Sequence, residues 1–289
     1  MRSLVLACAV VSITGCAPRA DLAPLGAVRD PGGATDPINM VAMEALHQDA
    51  ERVLRELIDA LPDRHRARVA SVHVVRDNAL GDVNAYATCD EDGPYVAISD
   101  GLLAITAHLA MGTATDELFE TTKAGEYLVW LGEHGLAPPP VRFYDAAQHT
   151  DRRKVLRQQE ILDEELAFVL GHELAHHYLG HLPCNTRNEL ESLGQVATSV
   201  PVFNQAAELA ADTAATRNLL DAGRLRTGYT WTEDGALLVM AAFNRHRPIG
   251  ARDVLLAFER THPVPHLRVP AITVAAEMWH SSGGHLPLF

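Results

Sequence analysis

The stretch 168-FVLGHELAHHYLGH-181 sets four histidines and one glutamate within ten residues of an otherwise apolar run. The run from about Gln158 to Leu182 contains no proline and is too long for a single strand, so it reads as a helix. At about 100° per residue, His172 and His176 then share one face, one turn apart. Two imidazoles so placed can grip one metal ion. Glu173, beside His172, reaches a water on that ion without being a ligand, which is the HExxH spacing of zinc hydrolases. The helix is nearly apolar all round, so its polar groups need partners, and an ion supplies them. The plainer alternative is a pair of histidines satisfied by core hydrogen bonds.

A zinc site needs a third protein ligand. The variant that takes it from the same segment requires glycine and histidine where this chain has Leu179 and Leu182, and is excluded. On a continuous helix His181 points away from His172, so His177 and His181 read as structural or surface positions. The other source is a carboxylate from a later helix. In 204-NQAAELAADTAATRNLLDAG-223, Glu208 and Asp212 lie four apart on one face. Glu208 completes a His2Glu set, and Asp212 can accept the spare ring N–H of a ligating histidine. Acids at this spacing ordinarily face solvent. Here they sit in 206-AAELAADTAA-215, a small-residue face suited to close packing against another helix.

The whole chain has 289 residues and 47% apolar content, ample for one large domain. Its formal charge is −13, and Lys and Arg form no stripe, so nucleic acid is not expected as a partner. Residues 1–15 read as a signal peptide: Arg2, then the apolar 4-LVLACAVVSI-13, too short to span a bilayer. The sequence 13-ITGC-16 resembles a bacterial lipobox, which makes Cys16 the lipidated mature N-terminus and lipid the membrane anchor. Ala17 in place of an aspartate points to the outer membrane, facing the periplasm. Residues 16–37 form a Pro- and Gly-rich tether. Cys89 and Cys184 remain, either as a disulfide in an oxidising compartment or as two separate thiols.

Helical spacing runs from Ile38 to Leu61. Strands are expected at 69-VASVHVV-75, 84-NAYATC-89 and 95-YVAIS-99, followed by a helix over 100–110. Further helices are expected at 203–222, 233–246, 250–260 and 268–280. Many helices and a small antiparallel sheet beside the histidine helix make an α+β domain over 38–289.

Five ordered motifs carry a resemblance. They are 84-NAYA-87, 101-GLL-103, 164-EELAFVLGHELAHHYLGH-181, 208-ELAAD-212 and 261-THPVPHLRV-269. Together they resemble the HtpX-like and CAAX-prenyl-protease-type zinc metallopeptidases, the gluzincins. The resemblance implies one Zn2+ per chain on His172, His176 and Glu208, with Glu173 as the catalytic acid–base. It implies a contribution from His262 or Arg268, with His262 in some relatives approaching the metal in a resting state. Asn84, Ala85, Tyr86 and Ala87 correspond to a strand that receives an extended substrate. Lipid-anchored bacterial members act in outer-membrane quality control, which implies unfolded or outer-membrane polypeptides as substrates.

The chain departs from the family pattern in three ways. About fifty residues, 105–158, separate GLL from the histidine helix and read as an insertion: a lid, a partner-binding element or a neutral addition. His266 and Leu267 stand where acidic residues often precede the late arginine. The transmembrane helices of integral members have no counterpart. Three rival readings stand beside the endopeptidase: a zinc-stabilised chaperone or binding lipoprotein, an exopeptidase, and a structural envelope lipoprotein.

Overall fold

Helix α1 spans Met43–Ala60 and turns Leu46, Ala50, Val53, Leu54, Leu57 and Ile58 into the core. This computed structural model describes residues 36–78, 83–182, 184, 201–245 and 265–284. Pro62 ends α1 and begins a second short helix, α2 (Asp63–Val69). The first strand therefore starts later than the valine-rich run 69–75 suggests. β1 is His73–Asp77, while Val69 and Val72 are buried ahead of it.

β2 (Ala85–Asp90) and β3 (Gly93–Ser99) form an antiparallel hairpin. Its turn is closed by Asp90, whose Oδ1 accepts from the backbone N–H of Asp92 at 2.8 Å and of Gly93 at 3.2 Å. Gly93 there has φ 127°, a value that favours glycine. The sheet order is β1-β3-β2, and β1 pairs with β3 in parallel. The expected antiparallel sheet is thus a mixed one. The hairpin adds to β1 through its second strand, which runs in the same direction as β1.

Ser99 caps α3 (Asp100–Phe119), accepting from the Leu102 N–H at 3.2 Å. α3 is buried on nearly every side and continues past the expected stop at Ala110, until Glu120 adopts a left-handed conformation at φ 53°. Asp116 then nucleates α4 (Lys123–His134), accepting from the N–H groups of Lys123 and Ala124. α5 (Ala146–His149) leads to α6 (Arg152–Leu179), capped by Asp151. Residues 105–158 are thus the rest of α3, then α4, α5 and the first turns of α6. They turn Tyr127, Leu131 and Tyr144 into the core.

α6 is the core's axis. Every residue from Ile161 to His176 is buried, which explains why the sequence there shows no polar face. α7 (Pro201–Leu225) and α8 (Asp234–Arg245) pack around it with α1 and α3, and α9 (Pro265–Ser281) packs on α7 and α8. Two buried acids fix the rotation of α6. Asp163 receives Arg52 at 2.6 Å and Arg226 at 3.1 Å. Glu164 accepts from Tyr229 Oη at 2.7 Å and from Thr232 N at 2.7 Å. Among the described residues no helix is long and apolar enough to cross a membrane. The expected signal peptide, Cys16, the helix over 250–260 and His262 lie outside the described residues.

Candidate metal centre

α6 and α7 pack closely where Gly171 faces Ala215: a Cβ built on Gly171 would stand 3.6 Å from the Ala215 Cα. This contact uses the small-residue face of α7, and it brings Glu208 over the histidine pair. His172 Nε2 and His176 Nε2 are 3.2 Å apart. Glu208 completes the triangle, 3.2 Å from His172 Nε2 through Oε2 and 3.5 Å from His176 Nε2 through Oε1.

These separations test whether an ion fits. Ligands at the usual zinc–nitrogen and zinc–oxygen distances, set tetrahedrally, stand about 3.3–3.4 Å apart. The three observed edges bracket that value. The donor set of two neutral imidazoles and one carboxylate is that of catalytic zinc sites. Electrostatics agree. Glu173, Glu208 and Asp212 are buried, and the buried cation Arg268 feels all three. Three carboxylates against one guanidinium leave two negative charges for a divalent ion to neutralise. Among the described residues, His172, His176 and Glu208 form the one cluster that could hold a metal ion.

The outer contacts orient the ligands. His172 Nδ1 lies 2.9 Å from Asp212 Oδ1, so its N–H donates there and the Nε2 lone pair faces the triangle. Burial and the Arg268 charge both push the His172 pKa down, yet the Asp212 and Glu208 carboxylates outweigh them and lift it to about 9. The site therefore attracts positive charge strongly. Burial alone would raise Asp212, but the Arg268 guanidinium overcomes it and holds the carboxyl at about 2. Arg268 grips both Asp212 oxygens, at 2.8 Å through Nε and 2.6 Å through Nη2. Its Nη2 is also 3.2 Å from His172 Nδ1. The arginine named from the sequence as a catalytic candidate is thus engaged behind His172, on the side away from the triangle.

His181 is where the sequence reading needs correction. Its Nδ1 lies 3.0 Å from His176 Nδ1. The expectation of an outward His181 assumed a continuous helix, but α6 ends at Leu179 and Gly180 adopts φ 78°. The left-handed residue swings His181 back over the last turn. A glycine directly after the final apolar position of a helix is the signal that could have revealed this. His177 is structural, as expected: its Nε2 is 3.0 Å from the Tyr95 carbonyl of β3. Cys89 and Cys184 form a disulfide, with Cα atoms 5.7 Å apart, that ties the chain beyond α6 to the end of β2.

Of the expected substrate strand, Asn84 and Ala85 are buried and Tyr86 and Ala87 half-buried. Asn84 exchanges bonds with Ser99: its N–H donates to Ser99 Oγ, and its carbonyl accepts from Ser99 N, both at 2.9 Å. β2 lies beside α6 and, among the described residues, carries no strand on its outer edge.

An imidazole pair on one helix, closed by a carboxylate from a second and flanked by a buried glutamate, defines a metal-dependent hydrolase of the HExxH class. The chain belongs to peptidase family M48, whose family model matches residues 44–276. Membership implies metallopeptidase activity. No curated protein and no solved structure matches the chain.

Proposed function

We propose that this chain is a zinc-dependent endopeptidase of the bacterial envelope that cleaves unfolded or misassembled polypeptides. One observation carries the reading: the three-edged cluster of His172, His176 and Glu208, with Glu173 buried next to it in the sequence. When bound there, zinc supplies Lewis acidity that brings the pKa of a water toward about 7.

The chain's own residues do the rest. His172 and His176 present Nε2, and Glu208 presents its carboxylate, to the ion. Asp212 holds His172 in the tautomer that leaves Nε2 bare. Glu173 takes the proton of the attacking water and delivers it to the departing amine nitrogen. β2 offers an outer edge beside α6 on which an extended peptide can add as a further strand. Main-chain bonds then give affinity with little demand on side chains, which suits unfolded substrates.

Three features support an envelope location with a lipid anchor at Cys16. They are the signal-like residues 1–15, the lipobox-like 13-ITGC-16 and the Cys89–Cys184 bridge, a feature of oxidising compartments. The test compares wild type with Glu173→Gln on an unfolded protein substrate. Zinc content and fold are expected to be unchanged, and peptide hydrolysis to fall by orders of magnitude. Equal hydrolysis by the variant removes Glu173 from the mechanism. A wild type that binds unfolded chains without cutting them favours the chaperone reading instead.

A further inference from the structure

We propose that His181 is a positioning residue that fixes the tautomer of His176, so that its Nε2 is available to the metal. This rests on the metal reading above and adds a residue to it. The facing nitrogens, His181 Nδ1 and His176 Nδ1, are 3.0 Å apart, with ring centroids at 5.0 Å and ring planes at 67°. Two ring nitrogens at that separation share one proton: one donates and the other accepts.

Only one of the two arrangements is compatible with a ligand at His176 Nε2. A neutral imidazole carries one N–H, so a bare Nε2 requires the proton on Nδ1, donated to His181 Nδ1. His181 then keeps its own proton on Nε2. The reverse arrangement puts a hydrogen on His176 Nε2, pointed at His172 Nε2 and Glu208, and leaves no lone pair for an ion. His181 thus does for His176 what Asp212 does for His172, with a neutral acceptor in place of a charged one.

The imidazole is held for that task. Gly180 N donates to the His177 carbonyl at 3.2 Å and His181 N to the His176 carbonyl at 3.0 Å, the paired bonds of a Schellman turn. Beyond the turn, Cys184 is bridged to Cys89. On the turn's other side, His177 is bonded to Tyr95. None of these contacts uses the His181 ring, so replacing the ring leaves the helix stop in place.

The experiment measures the zinc dissociation constant of wild type, His181→Leu and His181→Asn by chelator competition. The visible spectrum of the cobalt-loaded proteins and the melting temperatures of the metal-free proteins are recorded alongside. The asparagine oxygen sits where Nδ1 does and accepts the same hydrogen bond. Leucine is expected to weaken zinc binding about 10- to 100-fold and to shift the cobalt spectrum. Asparagine is expected to restore both to within about threefold of wild type, the metal-free melts being alike. Wild-type affinity in the leucine variant overturns the inference, as does equal weakening in both variants. A wild type that takes up no zinc overturns the metal reading itself, and this inference with it.

Discussion

His172 and Asp212 are joined at 2.9 Å through Nδ1 and Oδ1, and the same carboxylate is clamped by Arg268, all three side chains being buried. The aspartate thereby serves two masters, orienting an imidazole and neutralising a guanidinium. Asp212→Asn keeps the shape and removes the charge. It is expected to weaken zinc binding about 10- to 100-fold. Asp212→Ala also removes the carboxylate that grips Nε and Nη2 of the buried Arg268, and is expected to cost about 3–5 kcal/mol of stability. Chelator competition and denaturant melts check the pair. Unchanged affinity in the asparagine variant would show that His172 needs no such brace.

Gly171 sets the spacing of α6 and α7. A methyl at this position meets Ala215 at ordinary contact distance, 3.6 Å, so Gly171→Ala is expected to fold and bind metal normally. Gly171→Leu has no room for its further carbons. It is expected to cost about 1–3 kcal/mol and to move Glu208 away from the histidines. Zinc affinity measured on both variants decides this; a leucine variant that binds like wild type contradicts it.

His108 is buried among Tyr127, Tyr144 and Lys154. Burial, with a smaller contribution from the Lys154 charge, lowers its pKa from 6.5 to about 4. The unfolded chain therefore binds a proton between those values that the folded chain refuses. Stability is fully present above pH 6.5 and lost as pH falls toward 4, by about 3 kcal/mol from this group. Lys154 itself, lowered to about 8 by burial, stays charged across that window. His108→Gln is expected to flatten the acid limb of the melting-temperature profile. An unchanged limb would mean that other groups govern it.

The Cys89–Cys184 bridge spans a sequence separation of 95 residues. On the chain-entropy account, closing a loop of that size stabilises the fold by about 4.7 kcal/mol. Cys89→Ser with Cys184→Ser should lower the melting temperature by roughly 10 °C. Reductant should bring wild type down to the same value and leave the double variant unmoved. No effect of reductant on wild type would refute a structural bridge.

Much of this arrangement was legible beforehand. Helical period alone put His172, His176 and Glu173 on one turn and Glu208 and Asp212 on another, and the helices they require are present. The alanine-rich face around Glu208 signalled close packing, and Ala211 and Ala215 are fully buried. Other features were not legible. The start of β1 was obscured because the valine-rich run 69–75 reads as a strand throughout, yet Val69 ends a helix and Val72 precedes the strand. The extent of α3 was underestimated because its buried length has no polar face to give a period. His181 was misread because one left-handed glycine cancels an angle computed along a helix.

The sequence by itself determined which side chains share a helical face, because that depends only on spacing along a helix and on where caps and prolines stop it. Tertiary structure alone decided that Glu208 meets the imidazole pair, that Arg268 locks Asp212 and that β1 runs parallel to β3. Those pairings join residues far apart in the chain, and they are selected by how buried surfaces fit, which no local pattern encodes.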